Sequence, residues 1–206
     1  MKLGKKMSLC AGALALFLFT VLTIFVINEN VGAFNNAVHS RIILLETPAL
    51  TSMMRVLDVT GALYGYIPVI IVLLIIPRTR NVVGVTVAIA ILVSELLNRI
   101  LKLTFAVPRP AVESLVNVSG YGHPSGHSMN AMVFAGVCAV LFLFSSHKKP
   151  FKIAAFAIAA VYILVMGFSR IYLGVHSTTD VLAGYSAGVF VLCMICYLWK
   201  DNRVMR

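Results

Sequence analysis

The sequence is poor in charged residues, and above all in acidic ones. Only 12% of its 206 residues are charged and only seven are Asp or Glu, whereas about 25% of the residues of a soluble domain are charged. Hydrophobic residues make up 60% of the chain, so the composition excludes a soluble globular protein and indicates a polytopic membrane protein. The few carboxylates do not cluster in the sequence, which argues against an Asp/Glu site for Mg²⁺.

Cysteine is also scarce, and its placement argues against a metal or redox site. Cys10, Cys138, Cys193 and Cys196 all fall inside apolar runs. Cys193 and Cys196 form a C-x-x-C pair, but no second pair of ligands accompanies it. We therefore interpret all four as thiols packed between helices, and we expect neither a metal nor another cofactor.

Long apolar runs fill most of the chain. They predict an all-α fold, a six-span transmembrane helix bundle that forms a single domain over residues 1–206. The spans are expected at about residues 9–27, 62–76, 82–101, 128–144, 153–168 and 181–199. The segment 28–60 is polar by comparison, and Thr47 followed by Pro48 predicts a short interfacial helix within it.

Basic residues lie in short clusters between the apolar runs. Because membrane topology signals have this distribution, the net charge of +10 does not indicate a nucleic-acid partner. An even number of spans places both termini on one side of the membrane. That side also holds 11 of the 17 Lys and Arg residues: Lys2, Lys5, Lys6, Arg78, Arg80, Lys148, Lys149, Lys152, Lys200, Arg203 and Arg206. The positive-inside rule assigns it to the cytoplasm, so the loops after spans three and five face outward.

Three polar motifs lie in or beside these two outward-facing loops. They are K-x6-R-P at residues 102–110, P-S-G-H at residues 124–127 and S-R-x5-H-x3-D at residues 169–180. Cations, a helix start and a histidine–carboxylate pair are thereby placed on one face of the membrane, independently of any known motif. The bundle is therefore expected to carry a phosphoryl-transfer site at the external ends of spans three to six.

The third motif contains the reactive pair. His176 and Asp180 are four residues apart, so both lie on one face of a helix, where the carboxylate can accept the proton of one ring nitrogen and leave the other free to attack. Arg170 can bind a tetrahedral oxyanion through two parallel hydrogen bonds. The structural alternative is a capping box, with Ser177 as the N-cap and Asp180 as the third helical residue.

The other two motifs supply further groups for an anion. Ser125, Gly126 and His127 open span four, where the free backbone N–H groups of a helix N-terminus can bind an anion. Lys102 and Arg109 add two cations to a face that has few. The structural alternatives are a plain helix cap for the former group and snorkelling side chains at a helix end for the latter.

In this order, the three motifs resemble those of the type 2 phosphatidic acid phosphatase family. The resemblance implies a metal-independent lipid phosphatase in which His176 is the nucleophile, Asp180 orients it and His127 is the general acid. The phosphate-binding residues that it implies are Lys102, Arg109, Ser125, Gly126 and Arg170, with Ser169 in a supporting position. The vanadium haloperoxidases share these motifs, but they are soluble, and six apolar spans argue against that family.

Two residues near the motifs have open roles. Glu95 lies on the same helix face as Arg99 and Lys102, so we expect a supporting role, either in a structural ion pair with Arg99 or in aiming Lys102. His123 stands where the family usually has an aromatic residue before P-S-G-H. We expect a surface histidine there rather than the general acid, with a place in the headgroup pocket as the alternative.

The expected function is hydrolysis of a phosphomonoester or pyrophosphate lipid through a phosphohistidine intermediate. An outward-facing site beside the headgroup layer suits undecaprenyl pyrophosphate, phosphatidylglycerophosphate or phosphatidate. This membrane lipid is the expected partner, with no obligate protein partner and no nucleic acid. The alternative is a membrane transporter or scaffold with an external phosphate-binding site. The pattern disfavours a transporter, because midplane charges, broken helices and inverted repeats are not evident in it.

Overall fold

Eight α-helices make up most of the described part of the protein. The computed structural model describes residues 2–145 and 147–198. In chain order the helices are α1 (Lys2–Ile27), α2 (Gly32–Ile42), α3 (Pro48–Gly61), α4 (Leu63–Ile75), α5 (Val85–Phe105), α6 (Gly126–Leu143), α7 (Lys149–Tyr172) and α8 (Thr178–Leu198). A π-helical turn, Arg80–Gly84, leads directly into α5. The described ranges contain no strand, so the all-α prediction is confirmed.

Within the described residues, five helices are long and apolar enough to cross a membrane: α1, α5 with its π-helical turn, α6, α7 and α8. Helices α3 and α4 give a sixth crossing only as a pair, and they meet at an angle of 60°. Helix α4 alone has 13 residues. It is about 20 Å long, which is shorter than the hydrocarbon core of about 30 Å. The predicted second span is therefore one limb of a bent pair.

The bent pair is fixed at both ends of α3. At its start, the hydroxyl of Thr47 accepts a hydrogen bond from the N–H of Leu50 at 3.2 Å, and Pro48 occupies the first helical position. At its end, a Cβ on Gly65 would collide with the backbone carbonyl of Thr60. Only glycine therefore lets α4 begin so close to the last turn of α3.

Helix α6 lies at the centre of the bundle, in contact with α5, α7 and α8, while α1 packs along α8. Two glycines let α8 approach α6 closely: a Cβ at Gly184 would lie 2.5 Å from the carbonyl oxygen of Ser125, and one at Gly188 would lie 2.7 Å from Cβ of Met132. The start of α8 therefore lies against the start of α6. The core between these helices contains Phe19, Tyr66, Val87, Ala90, Ile91, Met129, Val133, Val137, Leu141, Ala183, Ala187 and Val191.

Helices α1 and α8 run antiparallel. Nζ of Lys5 lies 5.4 Å from the ring centroid of Tyr197, whereas Thr23, near the other end of α1, contacts the loop before α6. The beginning of α1 and the end of α8 thus lie together, opposite the end of the bundle that holds the three motifs. The predicted end of the sixth span, Trp199, lies outside the described residues. So do three of the basic residues, Lys200, Arg203 and Arg206.

The cysteines agree only in part with their predicted packing role. Cys138, Cys193 and Cys196 are partly buried between helices, but Cys10 is exposed. The expectation is therefore wrong for Cys10. The reason is that only one side of α1 packs against α8, and Cys10 lies on another side of the helix.

Candidate active site

Backbone hydrogen bonds join the three motifs at one end of the bundle. The N–H of Ser125 donates to the carbonyl of Asp180 at 3.0 Å, and the N–H of Leu115 donates to the carbonyl of Leu173 at 3.0 Å. These bonds tie the loop after α5, the start of α6 and the turn between α7 and α8 into one unit. The fold thereby brings together residues that are far apart in the sequence.

Arg109 is held by the loop in which it lies. Its Nε donates to the carbonyl of Gly120 at 3.2 Å, its Nη2 to that of Ser119 at 3.0 Å and its Nη1 to that of Val175 at 2.8 Å. The same Nη1 lies 3.5 Å from Nε2 of His176. Burial lowers the pKa of Arg109, but a guanidinium remains protonated in proteins. A fixed positive charge therefore lies beside His176.

His176 lies in the short turn between α7 and α8 and is only 5% exposed. Burial is the main cause that lowers its pKa, to about 3, so the imidazole is neutral at physiological pH. Its Nδ1 has no hydrogen-bond partner among the described residues. The ring therefore has the protonation state that a nucleophile requires.

The carboxylate of Asp180 faces His176, but at a distance longer than a hydrogen bond. Its Oδ2 lies 3.9 Å from Nδ1 of His176 and accepts a hydrogen bond from the N–H of Ser177 at 2.8 Å. The hydroxyl of Ser177 accepts in turn from the N–H of Asp180 at 3.2 Å, which completes a capping box. The other oxygen, Oδ1, lies 3.0 Å from Nδ1 of His123. Asp180 thus caps α8 and also faces His176.

Asp58, on α3, is a site residue that the motifs did not reveal. Its Oδ1 accepts a hydrogen bond from Nη2 of Arg170 at 2.8 Å, and its backbone carbonyl lies 2.9 Å from Nε2 of His127. The polar segment between the first two spans therefore contributes to the site. Asp58 lies at helical spacing from Thr51 and Met54, which are buried in α3, but this spacing does not show which part of the protein the face contacts.

Arg170 is 1% exposed and is only partly paired. Nη2 binds Asp58, but Nε and Nη1 have no hydrogen-bond partner in the described part of the chain. A buried donor without a partner costs about 1–3 kcal/mol, so these two N–H groups favour a ligand that supplies acceptors. Each of the two can donate a charge-assisted hydrogen bond to a phosphate oxygen, in addition to the bond that Nη2 makes to Asp58.

Three further residues that were singled out in the sequence lie around the start of α6. Ser125 is buried and is the N-cap of this helix. A Cβ at Gly126 would lie 2.8 Å from Oδ1 of Asn98, so the close packing of α5 requires glycine there. Nζ of Lys102 donates to the carbonyl of Tyr121 at 2.7 Å. The amino group is therefore bound to the loop that leads into P-S-G-H.

Ser169 and Glu95, the two residues with expected supporting roles, are hydrogen-bonded to other groups of the protein. The hydroxyl of Ser169 donates to the carbonyl of Met166 at 2.6 Å, within α7. Oε2 of Glu95 accepts from Nδ2 of Asn130 at 2.8 Å. Arg99 is exposed, and no ion pair joins it to Glu95 in the described ranges. The expected ion pair is wrong because Glu95 turns toward a buried donor on α6, while Arg99 points away from the bundle.

His123 is buried, so the expectation of a surface histidine is wrong. Its Nε2 lies 3.0 Å from the hydroxyl oxygen of Thr23, and its Nδ1 lies 3.0 Å from Oδ1 of Asp180. The rings of Phe19 and Phe105 lie 6.2 and 6.1 Å from the imidazole, centroid to centroid. The reason is the position of α1, which covers the loop before α6 and cannot be placed from the sequence pattern.

The charged groups of this end of the bundle favour an anionic ligand. Lys102, Arg109 and Arg170 bring three cations to the site. Within residues 2–145 and 147–198, no group of three or more His, Cys, Asp or Glu side chains is placed to hold a metal ion. Phosphate binding through guanidinium, ammonium and helix N–H groups is the chemistry that these residues can supply.

Comparison with known proteins agrees with this geometry. The sequence profile of the PAP2 superfamily matches residues 83–204, which is more than half of the chain. The chain belongs to the PAP2 superfamily. The match includes all three motifs, and it begins at the π-helical turn that leads into α5.

Relatives of known activity match over most of this chain. Phosphatidylglycerophosphatase B of Bacillus subtilis (strain 168) is 31% identical over 191 residues, which cover 88% of this chain and 91% of that protein. Undecaprenyl-diphosphatase of Sulfolobus acidocaldarius is 30% identical over 188 residues, which cover 85% of each chain. Both relatives therefore match well beyond the three motifs.

Solved structures of the superfamily share the fold. The crystal structure of a transmembrane PAP2-type phosphatidylglycerolphosphate phosphatase from Bacillus subtilis aligns with a TM-score of 0.78 and 28% identity, over 89% of this chain and 93% of that one. The structure of LpxE from Aquifex aeolicus aligns with a TM-score of 0.63 and 26% identity, over 79% and 94% of the two chains. The protein is a multi-pass membrane lipid phosphatase of the PAP2 superfamily.

Proposed function

We propose that this phosphatase removes phosphate from a phosphomonoester or pyrophosphate lipid through a phosphohistidine formed on His176. The observation that supports it most is the combination of a neutral, buried imidazole with the unpaired N–H groups of Arg170. The two residues adjoin, because the N–H of His176 donates to the carbonyl of Arg170 at 3.3 Å. A nucleophile and an oxyanion clamp are thus adjacent in one buried site.

Binding of the phosphate is the first step. Nε and Nη1 of Arg170 would each donate to a phosphate oxygen, while Arg109 and Lys102 would neutralise the remaining charge. The free N–H groups at the start of α6, beyond its N-cap Ser125 and next to Gly126, would complete the cradle. Because a phosphate monoester dianion repels nucleophiles, this neutralisation is a condition for the attack.

Attack by Nε2 of His176 on phosphorus is the second step. Arg109 lies 3.5 Å from this nitrogen and would place the phosphoryl group against it. A bond forms between Nε2 and phosphorus, and the bond from phosphorus to the lipid oxygen breaks with its electron pair on that oxygen. The imidazole becomes cationic, and its Nδ1–H then closes the 3.9 Å gap to Oδ2 of Asp180 to form a hydrogen bond.

His127 is the proposed acid for the leaving oxygen. In the present structure its Nε2 lies 2.9 Å from the carbonyl of Asp58, so Nε2 carries a proton and donates a hydrogen bond to that carbonyl. To protonate the lipid oxygen, His127 must be an imidazolium, a charge that the bound phosphate favours, and must exchange the Asp58 carbonyl for that oxygen. Transfer of the Nε2 proton then leaves a neutral imidazole. In the second half of the reaction His127 accepts a proton from water, the water oxygen bonds to phosphorus, and Nε2 of His176 recovers its electron pair.

The substrate is proposed from the relatives together with the position of the site. One relative is a phosphatidylglycerophosphatase and the other an undecaprenyl-diphosphatase. We therefore propose phosphatidylglycerophosphate and undecaprenyl pyrophosphate as the first substrates to test, with phosphatidate as the third. The distribution of Lys and Arg supports a site on the extracytoplasmic face, with both termini in the cytoplasm.

Purified protein in detergent should release inorganic phosphate from these lipids. The experiment measures kcat/KM for each of the three lipids, with Arg170→Lys as the matched variant, because lysine keeps the charge but loses the planar set of guanidinium donors. We expect Arg170→Lys to lower kcat/KM by about 10²-fold on the preferred lipid, since hydrogen-bond donors that stabilise the charge of the transition state are lost. If Arg170 binds the phosphate, the variant should have a lower kcat/KM on every lipid. If Arg170 contacts a headgroup instead, kcat/KM should fall for only one lipid.

The non-enzymatic alternative makes the opposite prediction. A transporter or scaffold with a phosphate-binding site would bind lipid phosphate without releasing inorganic phosphate. If the wild-type protein releases none from any of the three lipids while still binding them, the proposed function is overturned.

A further inference from the structure

A second imidazole lies directly behind the reactive pair. His123 is buried with both ring nitrogens in hydrogen-bond contact, Nδ1 with Oδ1 of Asp180 at 3.0 Å and Nε2 with the hydroxyl of Thr23 at 3.0 Å. It is not a metal ligand or a surface group, and the reaction described above does not use it. Both ring nitrogens of His123 are nevertheless hydrogen-bonded, while its ring packs beside the aromatic rings of Phe19 and Phe105.

The hydrogen-bond pattern fixes how these groups share their protons. A carboxylate only accepts, so the proton between His123 and Asp180 lies on Nδ1 of His123. In the neutral imidazole Nε2 is then an acceptor, and the hydroxyl of Thr23 donates to it. Thr23, His123 and Asp180 thus form a directed chain of hydrogen bonds that ends on the carboxylate.

This chain determines where the carboxylate lies. Oδ1 of Asp180 is held by His123, and Oδ2 by the N–H of Ser177 at 2.8 Å. With both oxygens held in this way, the carboxylate stays 3.9 Å from Nδ1 of His176. The donor from His123 comes from the loop before α6 and is independent of His176, whereas the N–H of Ser177 belongs to the peptide bond that follows His176.

We propose that His123 is a positioning residue for the phosphatase reaction, which holds Asp180 in place to receive His176 when that imidazole becomes cationic. The inference rests on the proposed function of His176 as the nucleophile. Thr23 extends the hold to α1, because its hydroxyl fixes the ring of His123 in the plane that points Nδ1 at Asp180. Thr23, on the first span, thereby helps to hold Asp180, on the last span.

The surroundings of His123 provide a matched set of variants. His123→Phe keeps an aromatic ring between Phe19 and Phe105, and therefore the packing, but removes both nitrogens. His123→Asn keeps an N–H donor close to the position of Nδ1 and loses the acceptor for Thr23. Thr23→Val keeps the shape of Thr23 and removes its hydroxyl.

The decisive measurement is kcat in these variants, alone and combined with Asp180→Asn. Misplacement of a catalytic group by about 1 Å costs up to about 10²-fold in rate, so we expect His123→Phe to lower kcat by about 10–100-fold with KM nearly unchanged. His123→Asn should recover most of the loss, and Thr23→Val should lower kcat less than His123→Phe. In the Asp180→Asn background, His123→Phe should have almost no further effect, because the group that it positions is already lost.

The outcomes separate this inference from the proposed function. If His123→Phe lowers kcat by the same factor in both backgrounds, or only lowers the melting temperature, His123 is structural and the inference is wrong. If Asp180→Asn itself leaves kcat unchanged, the role given to Asp180 fails, and the inference fails with it. Should His123→Phe not fold, the same comparison with Thr23→Val decides between these results.

Discussion

Arg170 and Asp58 form a partly buried ion pair across the bundle, with Nη2 of Arg170 2.8 Å from Oδ1 of Asp58. The pair joins the end of α7 to the last turn of α3. It uses one nitrogen of the guanidinium and leaves the two others without a partner in the described part of the chain. Asp58 therefore fixes the direction in which Arg170 presents its free donors.

Removal of the Asp58 carboxylate should lower both activity and stability. We expect Asp58→Ala to lower kcat/KM by about 10²-fold, since Arg170 is no longer aimed, and to destabilise the fold by about 3 kcal/mol, since a buried charge loses its partner. Asp58→Asn keeps an acceptor and should lie between Ala and wild type. Phosphate release and thermal unfolding measure the two effects, with exposed Glu46→Gln as the control. Unchanged kcat/KM in Asp58→Ala would remove Asp58 from the site.

Glu95 should act on the packing of α5 against α6. Its partner Asn130 also accepts a hydrogen bond from Ser94 through Oδ1 at 2.6 Å. Asn130→Ala leaves the buried Ser94 and the half-buried Glu95 without this partner and should destabilise the fold by about 1–3 kcal/mol. Glu95→Gln keeps an acceptor for Asn130 and should change the melting temperature little. The remaining alternative, that Glu95 aims Lys102, is supported instead if Glu95→Gln lowers kcat/KM tenfold or more at an unchanged melting temperature.

Metal independence and vanadate inhibition test the chemistry of the proposed site. Because the proposed charges come from Lys102, Arg109 and Arg170, phosphate release should continue in EDTA. Vanadate adopts the five-coordinate geometry of the transition state and should inhibit competitively with the lipid. Arg170→Lys should weaken vanadate inhibition along with kcat/KM. Activity that is lost in EDTA and restored by Mg²⁺ would contradict the metal-free mechanism.

The accessibility of the loop between α5 and α6 tests on which side of the membrane the active site lies. Ser119 is exposed, and only its backbone carbonyl is used, by Arg109. Ser119→Cys, in a background in which the four native cysteines are replaced by serine, should react with an impermeant thiol reagent in intact cells. The matched control is Ser145→Cys, at the opposite end of the bundle, which should react only after lysis. The reverse pattern would place the site in the cytoplasm.

Sequence patterns predicted most of the reacting groups because each motif lies at a helix end. The expectation that His176 and Asp180 share a helix face is wrong, because α8 begins only at Thr178 and His176 faces Asp180 from the preceding turn. The capping box correctly predicted the start of α8. The all-α bundle followed from apolar run length. These features depend on residues that are close in the chain, where 3.6-residue periodicity is enough to place them.

What the sequence could not show depends on contacts between distant segments. Asp58 and His123 reach the site only because α3 and α1 pack against it, and no local pattern specifies that packing. The bend between α3 and α4 also needs glycine at position 65, where a Cβ would collide with the carbonyl of Thr60, and this close approach is visible only in three dimensions. For the same reason helix spacing offers Arg99 or Lys102 as the group that Glu95 serves, although the observed hydrogen-bond partner of Glu95 lies on α6.

The two histidines should fail in different ways when they are removed. His176→Ala loses the covalent route, and kcat should fall about 10³-fold or more. His127→Ala still permits attack when the leaving group is good, so an activated aryl phosphate should be cleaved far better than a lipid phosphate. The intermediate should persist in His127→Ala, because the base for its hydrolysis is missing.

The most direct measurement is therefore to trap the phosphoenzyme in His127→Ala. Lipid carrying a radiolabelled phosphate is mixed with the variant, the reaction is stopped in alkali because phosphohistidine is acid-labile, and the labelled peptide is mapped. We predict label on His176, with none in the double variant that also contains His176→Ala. Label on another residue, or steady turnover of the wild-type enzyme without any labelled protein, would contradict the phosphohistidine mechanism.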